Sequence, residues 1–327
     1  MDLGLENIWH SWFAFRKGKR GTNELHEFQY YLESNLFELY KDLNEGKYRH
    51  GGYKKFVVSD NKRREVSVAS IRDRVVHRLV YDYLNGIYNK TFIYDAWSCR
   101  TNKGLLGAIE RAQAFLKKHP HSYVWKGDVK KFFDSVDQKT LLGILSLKIK
   151  DARSYNLLGE IIDGFRSNVV DKGGGGLIGM PIGNLTSQIF ANIYLNEFDR
   201  FVKHTLGAKA YLRYGDDFII VESDLEKLNF LRAQAVDFLR TILKLTINPK
   251  SDKIFKAQRG LKFLGVILWP HGRKLNKRNV KRVREKLALN NVGSYYGVMK
   301  YHANAKKMRE FHWLVGEKSF EMFVIFL

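Results

Sequence analysis

The stretch YLRYGDDFIIVE, residues 211–222, constrains the chain more than any other. Two apolar runs flank a glycine and two adjacent aspartates, which is the pattern of a strand, a tight turn and a returning strand. Such a hairpin needs a sheet to lie in, and it carries Asp216 and Asp217 to its tip. Asp is also a common turn residue, so the pair alone reads either as an acidic turn or as a holder of divalent metal.

The rest of the chain sharpens the question by its charge. Among 327 residues there are 56 Lys+Arg against 34 Asp+Glu, a formal net charge of +22. A field of that sign attracts polyanions, nucleic acid foremost. With 45% hydrophobic residues the chain can bury a sizeable core. The single cysteine, Cys99, excludes a disulfide framework and a Cys-rich zinc site and fits a reducing compartment. Neither a secretory leader pattern nor an apolar run near the roughly 20 residues that span a bilayer is present. The expectation is a cytoplasmic protein with no membrane partner.

Only 4 prolines occur and no Ser/Gly-rich linker divides the chain, which reads as one continuous multi-lobed unit. Helical spacing is predicted over 21–45, 72–88, 183–206 and LEKLNFLRAQAVDFLRTILKL. Two short strands are predicted around Asp60-Asn61, one strand ending near Asp128, and one in KFLGVIL. From about residue 270 the chain is basic and mainly helical in pattern.

If Asp216 and Asp217 hold metal for phosphoryl transfer, a carboxylate from a second strand must meet them, because nucleotidyl transfer uses two divalent ions. SYVWKGDVKKFFDSVD supplies Asp128 at the end of an apolar strand pattern. Asp134 and Asp137, further along, suit a helix N-terminus. Between the two acidic elements lies GGGGLIGMPIGNLTSQIFAN. Gly173 to Gly176 read as a flexible loop. Gly179, Pro181 and Gly183 then lead into a helix bearing Ser187 and Gln188, whose N-terminus can contact phosphate or simply belong to the core. The ordered set of strand-Asp128, glycine-rich loop into helix, and Asp-Asp hairpin is far more specific than any one part.

In that order the motifs resemble reverse transcriptases of the bacterial group II intron and retron lineage, over nearly the whole chain. KRREVSVASIRDRVVHRLV resembles the fingers, FIYDAWSCRTNKGLLGAI the segment after them, and DVKKFFDSVD, MPIGNLTSQIFANIYL and YGDDF the three catalytic motifs; LTINPKSDK and LKFLGV resemble the last two palm motifs. The resemblance implies an α+β right-hand polymerase fold: N-terminal extension and fingers over 1–110, a palm with an antiparallel sheet over 111–269, and a short helical thumb over 270–327. It implies two Mg²⁺ ions (Mn²⁺ as a possible substitute) on Asp128, Asp216, Asp217 and the Val129 carbonyl, with Lys250 as a proton donor to pyrophosphate. The incoming dNTP is expected at Lys62, Arg64, Arg74, Phe133, Ile182 and Gly183. Template and primer are expected at Arg100, Asn184, Ser187, Gln188, Lys281 and Arg284.

Gly-Asp-Asp also occurs in RNA-making polymerases, so the choice of product rests on the first motif. RNA-making relatives carry an acidic residue five or six positions after the catalytic Asp; here Phe133 and Asp134 stand there. A flat ring offers a ribose 2′-OH neither room nor a polar partner. The implied product is DNA, copied from an RNA template and held as an RNA–DNA duplex.

Within the lineage, Ile182-Gly183-Asn184-Leu185-Thr186-Ser187-Gln188 departs from the usual Gln-Gly-x-x-x-Ser-Pro and is similar to the diversity-generating retroelement enzymes, which copy template adenines with frequent error. Ile182 removes an amide that could check the nascent pair. Gly215 departs from that group, where Met or Val is commoner. A small basic accessory protein is an implied partner. An antiphage or group II-like reverse transcriptase, and an RNA-binding scaffold or maturase on a degenerate polymerase fold, are the alternatives.

Overall fold

The structure, a computed structural model, describes residues 1–59, 63–165 and 177–325. Lys62 and Gly173 to Gly176 lie outside the described residues. Among the described residues no helix is long and apolar enough to cross a membrane.

The N-terminal lobe starts with α1 (Leu5–Arg16), α2 (Asn23–Tyr30) and α3 (Leu32–Asn44). The Thr22 side chain caps α2 by accepting from the Leu25 N–H. The single helix expected over 21–45 breaks at Tyr31, whose φ of −103° and ψ of 32° leave the helical region. The apolar stripe runs unbroken through Leu25, Leu36, Leu39 and Leu43, so the break has no periodic signal. Its effect is tertiary: α2 and α3 meet different neighbours, α3 packing on α1. The hairpin of β1 (Lys54–Ser59) and β2 (Arg63–Val68) follows, with every residue of β1 exposed. Then α4 (Ile71–Tyr88), capped by Ser70, runs into the core.

The remaining elements are α5 (Leu105–Lys118), β3 (Tyr123–Asp128), α6 (Phe132–Ser135), α7 (Gln138–Ser146), α8 (Ala152–Asp163), α9 (Leu185–Arg200), β4 (Ala210–Tyr214), β5 (Asp217–Glu222), α10 (Leu225–Thr241) and β6 (Lys253–Lys256). Four strands form an antiparallel sheet in the order β4-β5-β3-β6. Side chains alternate across it with period two. Trp125, Tyr211, Phe218 and Ile220 enter the large core shared with α4, α9 and α10. Val124, Leu212, Ile219 and Val221 enter a second core with α5 and the C-terminal strands. α9 lies at the centre, buried on nearly every side.

The expected single strand in KFLGVIL is instead a hairpin, β7 (Leu261–Phe263) and β8 (Val266–Trp269), turning on Leu264 and Gly265 with φ of +46° and +88°. An apolar run with one glycine gives no hint that it folds back. β9 (Gly272–Leu275) completes a three-stranded sheet by pairing with β8, so this sheet continues past residue 269. Helices α11 (Lys277–Lys286), α12 (Val292–His302) and α13 (Ala305–Ile325) close the described chain. A mixed fold with an antiparallel palm sheet is what the resemblance implied.

Candidate active site

β3 and β5 pair with Asp128 opposite Asp217, so both carboxylates leave the same face at the same end of the sheet. Opposed residues of an antiparallel pair hold their Cβ atoms about 4.5–5.5 Å apart. Tyr214 pairs with Asp217, which leaves Gly215 and Asp216 as a two-residue turn. Gly215 has φ +64° and Asp216 has no positive φ, the pattern of a type II′ turn with glycine at its first central position. The departure of Gly215 from the expected Met or Val is thus a conformational fit, since a side chain at that φ is strained.

The acidic cluster is electrostatically tense. Burial pushes the Asp216 carboxyl above its ordinary range; the charges of Asp217 and Asp128 add to this, while Arg64 opposes it. The positive charge of Arg64, on β2, is therefore felt at the hairpin tip. Lys126, two residues before Asp128 and on its face of the sheet, sets its Nζ 3.3 Å from Asp217 Oδ1. The same ammonium donates to the Lys262 carbonyl on β7 at 3.2 Å. Asn248 points its side-chain amide at both oxygens of Asp128, 3.2 and 3.4 Å away.

Past Asp128 the strand is extended by residues 246–248: the Asn248 N–H donates to the Asp128 carbonyl and the Lys130 N–H to the Thr246 carbonyl, each at 2.8 Å. Carbonyls alternate along a strand, so the Val129 carbonyl points to the opposite edge, just beyond the end of β5. That leaves it as an oxygen donor beside the carboxylates. Among the described residues no three Asp, Glu, His or Cys side chains close on one point as a ready-made cage. An open set of oxygen donors suits Mg²⁺, which keeps waters and is completed by substrate phosphates. The residues fit the ion.

Backbone bonds join the segment after Asp128 to the glycine-rich loop and to β2. The Phe133 carbonyl accepts from the Met180 N–H at 2.6 Å, and the Ile182 carbonyl accepts from the Ser67 N–H at 2.9 Å. Phe133 is half-buried, its ring edge-on to Phe132 at 5.3 Å between centroids. Gly183 has φ +115°, and a Cβ there would meet Val66 Cγ1 at 2.6 Å. Glycine is required because the loop lies directly on β2. Phe133, Ile182, Gly183 and β2 are thereby linked into one surface.

Three expected site residues are turned elsewhere. Arg100 spends its guanidinium on the Asn89 side chain and on the carbonyls of Asn89, Ile93 and Ala96, four bonds within its own loop. Asn184 donates to the Ser67 carbonyl at 2.7 Å and accepts from the Ala69 N–H at 3.3 Å, tying β2 to the start of α9. It is buried, and its amide is used up inside the protein. Arg74 lies over the Phe15 ring and 4.0 Å from Glu24, against the N-terminal helices. The resemblance placed these three at the dNTP and template, but the side-chain partners they have here are internal.

Of the remaining candidates, Lys250 is exposed beside Asn248, and its N–H donates to the Asn248 side chain at 3.1 Å. Gln188 is exposed, whereas Ser187 is buried with a hydroxyl that has no partner. Lys281 and Arg284 stand exposed on α11, Lys281 3.5 Å from Glu285 and Arg284 hydrogen-bonded to Glu310 at 2.9 Å. Asp137, buried, caps α7 by accepting from the Thr140 N–H, as its helix-start pattern suggested. Sequence reasoning missed Asn248 and Lys126; Asn248 stands in LTINPKSDK, but its partner lies 120 residues earlier.

A palm sheet with carboxylates on two adjacent strands, bordered by a fingers hairpin and followed by C-terminal helices, defines the right-hand class of nucleic-acid polymerase. Residues 53–268 match the model of the family "Reverse transcriptase (RNA-dependent DNA polymerase)", and the chain belongs to that family. It is 26% identical over 244 residues to protein YkfC of Escherichia coli (strain K12), covering 63% of each chain. It is 26% identical over 303 residues to the group II intron-encoded protein LtrA of Lactococcus lactis subsp. cremoris, covering 72% of this chain and 50% of LtrA. Telomerase from Candida albicans, solved with a fragment of telomeric RNA, shares the fold at a TM-score of 0.54 and 13% identity, covering 92% of this chain and 59% of that one. Apo telomerase from Candida tropicalis superposes at a TM-score of 0.52 with 14% identity, over 83% of this chain and 56% of that one. The chain thus spans less than two thirds of the length of each of these relatives.

Proposed function

We propose that the protein is an RNA-directed DNA polymerase that makes cDNA by two-metal nucleotidyl transfer. The observation that carries this reading is the register that sets Asp128 opposite Asp217, with Asp216 in the adjoining turn. Reverse transcriptases generally use divalent metals, and here Asp128, Asp216, Asp217 and the Val129 carbonyl would hold them. When bound, a Mg²⁺ pair would supply activation of the primer 3′-hydroxyl and charge neutralisation on the triphosphate. The chain's own part is to orient: Asn248 fixes Asp128, Lys126 holds Asp217, Arg64 faces the triphosphate, and Phe133 crowds the sugar. Lys62 belongs with Arg64 in this reading, and Lys250 is the candidate proton donor to pyrophosphate. Purified protein with primed RNA and dNTPs is expected to extend the primer, and D216N to abolish extension; an unchanged rate in D216N overturns the metal assignment.

Within this activity, the Ile182-to-Gln188 segment supports an error-prone enzyme of a diversity-generating retroelement, served by a small basic accessory protein. Ile182 borders the Phe133 wall with no amide to test a base pair. I182Q is expected to lower misincorporation opposite template adenine, and an identical error spectrum overturns the subtype. The likeness to LtrA favours a group II-like reverse transcriptase as the second reading. Error rates on template adenine no higher than on the other bases decide for it.

A further inference from the structure

The geometry points to Arg213 as a positioning residue for the turn that presents Asp216; this rests on reading Asp216 as a metal-holding carboxylate. Arg213 is the third residue of the opening YLRYGDD stretch and lies on the helix-facing side of β4, only 1% exposed. Its Nε and one terminal nitrogen donate to the two oxygens of Asp199 on α9, at 2.8 and 2.6 Å. The other terminal nitrogen donates to Asn192 Oδ1 at 3.2 Å and to the Gly215 carbonyl at 2.9 Å. Tyr211 adds a hydroxyl to Asp199 at 2.6 Å.

A fully buried ion pair is a weak stabilising device, because desolvating both charges offsets most of their attraction. Its best-supported use is to fix a geometry. Here the planar guanidinium is oriented on one edge by Asp199 and Asn192, both on α9. Its remaining N–H is thereby aimed at the carbonyl of the first turn residue. The turn is referenced to the central helix through a charge-assisted bond, rather than left to the hairpin alone. Lysine cannot do this, since a point ammonium has no rigid fork to hold two partners and aim at a third. The backbone at Arg213 is clamped as well: its N–H donates to the Asp95 carbonyl and its carbonyl accepts from the Trp97 N–H, each at 2.9 Å. The freedom left to the hairpin lies in the turn itself.

The test compares the full-length wild type with R213K and N192A. Amide exchange is read in the metal-free protein on peptides covering 213–218 and 219–222, and the Mg²⁺ concentration giving half-maximal primer extension is read separately. R213K is expected to speed exchange at the turn roughly ten- to hundredfold, the worth of one hydrogen bond to a charged group. Exchange in 219–222 stays at the wild-type rate. The half-maximal Mg²⁺ concentration rises, while the half-saturating primer–template concentration does not move. N192A removes one anchor of the guanidinium, together with the bond from the Asn192 amide to the Ser98 carbonyl at 2.9 Å, without altering either charge. It shifts turn exchange in the same direction by a smaller factor, and it decides the matter if R213K fails to fold. Turn exchange at the wild-type rate overturns the proposal. So does uniform acceleration across the palm sheet, which marks a role in stability alone. A wild type that does not extend primed RNA sinks the reading of Asp216 instead, and the exchange rates still judge Arg213.

Discussion

Asn248 holds Asp128 from two directions: its side-chain amide faces both carboxylate oxygens at 3.2 and 3.4 Å, and its backbone N–H donates to the Asp128 carbonyl at 2.8 Å. The backbone bond survives substitution and the side-chain contacts do not. Asn248→Ala is therefore expected to fold normally yet lower single-turnover primer extension by roughly ten- to hundredfold, the usual cost of removing a group that orients a metal ligand. Thermal melting beside the kinetic assay checks both halves.

Asp216 opposes folding when it is charged. Its carboxyl is raised by burial and by the charges of Asp217 and Asp128. The folded state then binds its proton more tightly than the unfolded chain does, so this contribution to stability falls as pH rises through the window just above the ordinary Asp value. D216N removes the effect. The metal-free variant is expected to melt roughly 1–3 °C higher than wild type at neutral pH. Added Mg²⁺ is expected to raise the melting temperature of wild type more than that of the variant.

His77 gives the opposite slope. Burial lowers its pKa to about 3, with His50 adding to the shift and Asp73 opposing it. Its Nε2 lies 3.0 Å from His50 Nε2 and its Nδ1 3.4 Å from Thr186 Oγ1. A base with a depressed folded pKa contributes stability that is complete above the unfolded value near 6.5 and is lost as pH falls towards about 3. Wild type is expected to lose up to about 1.4 kcal/mol per pH unit from this group below pH 6. His77→Gln is expected to flatten that part of a denaturation-versus-pH curve.

The features legible in the sequence were those whose cause is local. Two apolar runs around Gly-Asp-Asp place the β4–β5 hairpin, an apolar run ending in Asp128 places β3, and helical spacing over 72–88 places α4. What stayed hidden depends on partners that no periodicity announces, whether within one loop, as for Arg100, or far along the chain, as for Asn184. Nothing near Arg100 shows that four carbonyl and amide oxygens will surround it, and nothing near Asn184 shows that β2 will meet it. The break at Tyr31 and the fold-back at Leu264 and Gly265 are likewise set by neighbouring elements. Charge pattern identifies a basic chain, but not which cations face solvent.

Phe133 tests the choice between DNA and RNA products. Its backbone is fixed by the bond from Met180, so truncating the ring opens space without releasing the loop. Phe133→Ala is expected to raise the ratio of ribonucleotide to deoxyribonucleotide incorporation by at least about tenfold, since the ring's exclusion is steric. A ratio equal to that of wild type moves discrimination to another residue.

Lys281 and Arg284 sit one turn apart on the first C-terminal helix, 74% and 54% exposed at the side chain. Their carboxylate partners, Glu285 at 3.5 Å and Glu310 at 2.9 Å, form surface ion pairs, which contribute about 0–1 kcal/mol each. A phosphate backbone can therefore take both cations at little cost. Each phosphate neutralised adds close to one unit to the slope of log affinity against log salt. The double variant K281A/R284A is expected to bind an RNA–DNA duplex more weakly at low salt, with a slope shallower by up to about 2. Its affinity is expected to converge on that of wild type as salt rises. A parallel line at lower affinity instead assigns the loss to packing of this helix, whose buried Val283 anchors it to the second core.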